Sequence, residues 1–328
     1  MRTLACLTLA LAACSAQTSQ VAPDAPATAT GVADIRCSQA PSLPGRSMRH
    51  TKNDVISEMG EPRHRGIDVI AAESDDTQTV SGAFAYGNID KALEDEDAEL
   101  FACTGESWRS LGTARTDTDG RFSLALTGDG RMSVGLRDLY AAAPDGTGVW
   151  FLALVAPDGA RVMISDVDGT LTSSENSFPT STVIGNHVGV QPGAPLAFED
   201  AAARGVLPIF VTARGDLYSQ STRGWLAAKG FPRAPMHLGQ PAITLPGAGA
   251  TKLKIAVVTP LVSRFDIVAA IGNRATDIDA YSAAGIDADH IFIKTPEYAS
   301  ELIEPIADHK AVGFKTYDEL RASVIAQW

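Results

Sequence analysis

Apolar positions along the chain follow two rhythms. Between Thr79 and Val155 they form short runs with partial alternation: TVSGAFAYG, DAELFAC, LGTART, RFSLAL, RMSVGLRDL and VWFLALV. Asp-Gly pairs beginning at Asp119, Asp129, Asp145 and Asp158 punctuate them. Alternation marks strands with one buried face, and Asp-Gly marks tight turns. About seven such strands predict a small antiparallel β-sandwich over residues 78–157, with Phe84, Trp108, Phe122 and Trp150 as packing aromatics. After Asp158 the runs become continuous: RVMISD, GVLPIFVTA, KIAVVTP, IVAAIGN and HIFIK. Continuous runs are typical of strands buried on both faces. APLAFEDAAARG, SQSTRGWLAAKG, ATDIDAYSAAG and YDELRASVIAQ lie between or after them and have helical length; the first two close on Gly205 and Gly230, as helix ends commonly do. Strand alternating with helix predicts an α/β domain, a doubly wound parallel sheet, over residues 158–328.

The first seventy-seven positions show neither rhythm. MRTLACLTLALAAC sets one cation, Arg2, before a short apolar stretch and small residues, the pattern of a secretory signal. Residues 15–34, SAQTSQVAPDAPATATGVAD, are small and polar with little to bury and read as a flexible tether. Residues 38–77 mix Pro, Gly and charge without a period. The expected organisation is therefore a signal over 1–13, a tether and undefined segment over 14–77, then the two domains. The composition, 45% hydrophobic and 20% charged over 328 residues, is that of a globular chain. No run of 18 apolar residues suggests a membrane-spanning helix. A net charge of −12 opposes nucleic-acid binding, and opposes adhesion to anionic lipid by charge alone.

Leu11–Cys14, LAAC, resembles the lipobox of bacterial lipoproteins. That resemblance implies cleavage before Cys14, acylation of that cysteine and, from Ser15, an outer-membrane destination. The protein is then expected in the bacterial cell envelope, lipid-anchored, on a periplasmic or surface face. Cys6 leaves with the signal and Cys14 carries lipid, so Cys37 and Cys103 remain for one disulfide in an oxidising compartment.

Ligands of an open parallel sheet gather outside the carboxyl ends of its strands, and this rule draws scattered polar residues together. Asp166 and Asp168 follow the first strand in VMISDVDGTLT, and Thr212 follows the second in IFVTARGD. Lys252 and Lys254 open TKLKIAVV, while Asn273 and Asp277 follow the next run in IGNRATDID. Phosphate-monoester hydrolysis is among the slowest uncatalysed reactions. A carboxylate nucleophile divides it into formation and hydrolysis of an aspartyl phosphate. Paired carboxyls suit that division: Asp166 attacks phosphorus, and Asp168 gives a proton to the leaving alkoxide and later takes one from water. The other DxDG, in TDTDGRF (116–122), reads as a hairpin turn.

DVDGTLT is similar to the first motif of the haloacid dehalogenase (HAD) superfamily, and the threonine, lysine and acidic motifs follow in that family's order. VTARGDLYSQSTRGWL and GNRATDIDAYSAAGIDADHIFIKTP resemble the LNS2 domain of lipins over roughly residues 160–315. Lipins are Mg²⁺-dependent phosphatidate phosphatases; the same domain in large phosphatidylinositol-transfer proteins binds phosphatidate and lacks the nucleophile. The resemblance implies Mg²⁺ on the Asp166 carboxylate, the Asp168 carbonyl and Asn273, with Asp277 holding a metal water or the lysine. It also implies that Thr212 and one lysine grip the phosphoryl group, Lys254 in preference to Lys252. Arg214, Arg223 and Arg274 either hold a lipid phosphate, Arg214 foremost, or serve as salt-bridge partners. His187 reads as structural.

Neither 172–205 nor 212–252 has room for a large cap, and an open site suits a bulky or membrane-embedded phosphate. The expectation is a Mg²⁺-dependent phosphatase of phosphatidate or a related lipid phosphate, held at the membrane by its anchor. A non-catalytic lipid-binding or lipid-transfer module and a periplasmic phosphatase of soluble monoesters are the alternatives.

Overall fold

The computed structural model describes residues 30–173, 188–239 and 248–328. The signal, Cys14, most of the tether and His187 lie outside the described residues.

The amino-terminal domain is a sandwich of two sheets. Its strands are β1 (Asp34–Ile35), β2 (Arg65–Ile67), β3 (Val69–Ala72), β4 (Thr77–Ala83), β5 (Ala85–Tyr86), β6 (Lys91–Ala92), β7 (Asp97–Cys103), β8 (Trp108–Arg115), β9 (Arg121–Thr127), β10 (Gly135–Ala142) and β11 (Gly148–Ala156), with helix α1 (Thr51–Ser57) before β2. One sheet runs β3-β11-β10-β7-β8 with β1 beside β10, the other β2-β4-β9, and β5 pairs with β6. Phe84, Leu100, Leu139 and Phe151 fill the space between them, all fully buried. The DxDG at 117–120 is the turn from β8 to β9, closed by Gly120 N–H donating to the Asp117 carbonyl.

Two expectations change here. The sandwich begins at Asp34, because β1, β2 and β3 all pair within it, and the pairings of β1 with β10 and β3 with β11 are parallel. The segment 34–77 hid its strands because β1 is two residues long and Asp68 interrupts the apolar run between β2 and β3. Cys37 and Cys103 form a disulfide that ties this segment to β7.

The carboxyl-terminal domain alternates β12 (Arg161–Ser165), α2 (Ala194–Ala203), β13 (Leu207–Gly215), α3 (Ser219–Ala228), β14 (Met236–Gly239), α4 (Ala248–Val262), β15 (Asp266–Gly272), α5 (Ala275–Ala283), β16 (Ile291–Lys294), α6 (Ala299–Ala307), β17 (Val312–Phe314) and α7 (Tyr317–Ser323). The sheet order is β14-β13-β12-β15-β16-β17 and every pairing is parallel. Counted from β12 this is 3-2-1-4-5-6, doubly wound, with the order reversing on either side of the first strand, where such sheets bind ligands. KIAVVTP, expected as a strand, lies inside α4. Lys254, Val258 and Leu261 recur at helical spacing on its buried face. The segments 174–187 and 240–247 are each far shorter than a domain. Among the described residues no helix is long and apolar enough to cross a membrane.

The two domains share a core. Ala72, Leu136, Leu152 and Leu154 of the sandwich, with Val32 just ahead of it, pack in one cluster with Val162, Ile164, Ile209 and Val211. Asp68 fastens this contact. Its buried carboxylate accepts from Leu152 N–H of the sandwich, from Met236 N–H of β14 and from Arg223 of α3, all at 2.8 Å. Arg264 reaches Asp75 across the same boundary at 3.0 Å.

Candidate active site

At the end of β12 the chain turns sharply, and Gly169 takes a left-handed φ of 70° that favours a residue without Cβ. This turn presents Asp166 and Asp168 on the sheet's carboxyl edge. Asp166 is buried and faces Lys254 of α4, whose Nζ lies 2.8 Å from Asp166 Oδ1 and also contacts Asp277 Oδ1. Burial opposes charge on Lys254, but the two carboxylates outweigh it and hold the ammonium well above the ordinary lysine range. Asp277 Oδ2 accepts the backbone N–H groups of Asn273 (2.9 Å) and Arg274 (3.0 Å), capping α5. Residue 272 is glycine because a Cβ there would lie 2.5 Å from the Asp277 side chain.

Thr170 completes this half of the site. Its hydroxyl stands 2.9 Å from Asn273 Oδ1 and 3.3 Å from Asp166 Oδ2, and Tyr317 of α7 donates to the Thr170 carbonyl at 3.0 Å. Asp168 belongs to the other half. Arg214, at the end of β13, forks onto it through Nε (2.9 Å to Oδ2) and Nη2 (2.7 Å to Oδ1), and Thr212 Oγ1 is 3.3 Å from Oδ2. Arg214 Nη1 in turn donates to Thr222 Oγ1 of α3 at 3.0 Å.

Residues 163–295 match the family model of the LNS2 domain of PITM 1-3, and residues 62–154 match the PITM 1-3 β-sandwich domain. The chain is thus similar to the PITM β-sandwich domain over its first half and to the LNS2 domain over its second. Membrane-associated phosphatidylinositol transfer protein 3 of Mus musculus is 28% identical over 261 residues, 76% of this chain and 26% of that protein. Protein retinal degeneration B of Drosophila melanogaster is 28% identical over 238 residues, 70% of this chain and 18% of that protein. The chain thus spans about a quarter or less of these relatives. Among solved structures, D,D-heptose 1,7-bisphosphate phosphatase from B. bronchiseptica, complexed with magnesium and phosphate, aligns with a TM-score of 0.39 and 12% identity over 51% of this chain and 99% of its own.

The carboxyl-terminal domain gathers Asp166, Asp168, Thr212, Lys254, Asn273 and Asp277 at one edge. Lys252 does not join them; it is exposed two residues earlier on α4. The three arginines are all engaged by acids: Arg214 by Asp168, Arg223 by Asp68, and Arg274 by Glu301 while it lies over the Tyr298 ring. Arg214 forks onto both oxygens of Asp168, the salt-bridge arrangement of the two expected for it. Thr170, Thr222 and Tyr317 escaped the sequence reading. Thr170 sits inside the DVDGT signal, whereas Tyr317 approaches from 147 residues away without any local pattern.

The oxygen set suits a hard cation of few protein ligands. Asn273 Oδ1 and Asp166 Oδ2 converge on one Thr170 hydroxyl, which has a single proton to give. Mg²⁺ takes one or two carboxylates and keeps several waters, so the small set here fits it. Among the described residues no group of three or more His, Cys, Asp or Glu forms a denser cage.

Proposed function

We propose that this protein is a Mg²⁺-dependent phosphatase of phosphatidate or a related lipid phosphate, working through an aspartyl phosphate on Asp166. The observation that carries this is the pairing of two carboxyls with separate partners, Lys254 on Asp166 and Arg214 with Thr212 on Asp168. In the first step Asp166 attacks phosphorus as the bond to the leaving alkoxide breaks, and Asp168 delivers the proton that the alkoxide takes. In the second, Asp168 removes a proton from water, which attacks the acyl phosphate and releases Asp166 and phosphate. Lys254 and Thr212 offset charge on the phosphoryl oxygens. Asp277 acts through Lys254, holding its ammonium in place. Mg²⁺ bound by Asp166 and Asn273, with the Asp168 carbonyl, would neutralise charge on the transferring group.

A second reading has its own support. Arg214 engages both oxygens of Asp168, so the side chain that would handle the proton is already held in an ion pair. In that reading the edge binds a phosphate headgroup without hydrolysing it. The envelope location is also proposed, with acylation at Cys14; the Cys37–Cys103 disulfide supports an oxidising compartment.

One experiment separates these readings. The protein, expressed in an oxidising compartment, is offered phosphatidate in mixed micelles and soluble phosphomonoesters, each with Mg²⁺. Phosphate release from phosphatidate, abolished by EDTA and by Asp166→Asn, supports the phosphatase. Preference for soluble monoesters moves the substrate class, and saturable binding without release favours the binding module.

A further inference from the structure

A cavity of about 340 Å³ opens between the domains, and neither of the paired carboxyls lines it. Trp150 on β11 forms one wall; Phe210 on β13, Leu226 on α3 and Phe231 form the others. Such a volume falls within the range of small-ligand pockets, which favour domain boundaries and combine apolar walls with a few directed polar groups.

The polar groups here are three guanidiniums, Arg36, Arg223 and Arg233, and one carboxylate, Asp138. The acceptors that serve them are already taken. Asp138 accepts from Arg233 on one oxygen and from Cys37 N–H on the other. Asp34 accepts from Arg36 and Arg233. Asp68 accepts from Arg223 and from two backbone N–H groups. Arg223 spends only Nη2 on Asp68, which leaves Nη1 without a protein acceptor among the described residues. The rim therefore carries more donors than its carboxylates engage. A ligand that completes it must bring acceptor oxygens, and its body must be apolar.

We propose that this cavity binds a single-chain anionic amphiphile, its carboxylate or phosphate head on Arg223 and its chain against Trp150, Phe210, Leu226 and Phe231. The volume is too small for both chains of a diacyl lipid. The site is separate from the proposed phosphatase edge and does not depend on catalysis there.

The test titrates the full chain with oleate, lysophosphatidate and uncharged mono-oleoylglycerol, each below its aggregation threshold. Calorimetry measures binding, and brominated oleate reports contact by quenching Trp150, with Trp150→Phe as the control. Saturable one-to-one binding of oleate or lysophosphatidate is expected, the tighter of the two identifying the head. Mono-oleoylglycerol should bind at least about tenfold more weakly, the worth of one charge-assisted hydrogen bond. Ala227→Trp, at an exposed position on the wall, should abolish binding with the melting temperature unchanged. Arg223→Lys keeps a cation for Asp68 but removes Nη1, and should weaken binding by about tenfold or more. Asp166→Asn should bind like the parent, which distinguishes this cavity from the catalytic edge. No saturable binding of either anion, equal binding of the uncharged lipid, or full binding by Ala227→Trp would overturn the proposal.

Discussion

Replacing Lys254 by methionine tests the electrostatic centre of the site most directly. The side chain is close in length, so little volume is lost, but the ammonium that contacts both Asp166 and Asp277 disappears. Asp166 and Asp277 are 5% and 1% exposed, and neither can recover water. Breaking a buried ion pair by removing one partner costs about 3–5 kcal/mol, because the other charge stays behind. Here two charges stay behind, so a loss near the top of that range is expected. The held ammonium lies above its unfolded range, so this contribution is complete below the ordinary lysine pKa of about 10.4 and fades only as alkali titrates the folded group. At pH 7 all of it is present. Urea unfolding at pH 7 measures the loss as a lower midpoint at unchanged slope. Asp277→Asn should reduce the damage: the double variant should lose less than the sum of the singles by about 1–3 kcal/mol. A Lys254→Met protein within about 1 kcal/mol of the parent, or strictly additive losses, would refute the reasoning.

Four further outcomes are expected. Gly272→Ala should displace Asp277 and, through it, Lys254, lowering phosphate turnover or headgroup binding while the fold persists by circular dichroism. Asp68→Ala leaves Arg223 and two backbone N–H groups unserved at the domain boundary and should cost about 3–5 kcal/mol, read by chemical unfolding. Burial lowers His64 to about 4. The unfolded histidine binds its proton first as the medium acidifies, so this contribution is whole above pH 6.5 and is lost as pH falls towards 4, about 3 kcal/mol in all. His64→Leu should flatten that part of the stability profile. Reducing Cys37–Cys103, 66 residues apart, should cost about 4 kcal/mol by loop entropy, seen as a lower urea midpoint with a phosphine reductant.

The doubly wound sheet was legible because β12, β13, β15 and β16 are buried on both faces and write continuous apolar runs. The same signal misled at KIAVVTP. A helix with few charges also writes a continuous run, and only the spacing of Lys254, Val258 and Leu261 betrays its turn. The carboxyl pair and Asn273 were legible because the end of each parallel strand must face the ligand edge. The Arg214 fork was not, since chain order brings Arg214 to the edge but side-chain direction decides whether it meets a ligand or Asp168. Asp68 gave no warning either: an acid between β2 and β3 looks like a loop residue until the second domain supplies its donors.

The pooled interior described above constrains how this molecule can be cut. Severing the chain near Asp158 would leave Ile164, Ile209 and Val211 facing water on one fragment and Leu136, Leu152 and Leu154 facing water on the other. Either half alone would present a sticky greasy face, so gene fusions and crystallisation fragments should keep both halves together and trim only ahead of residue 30.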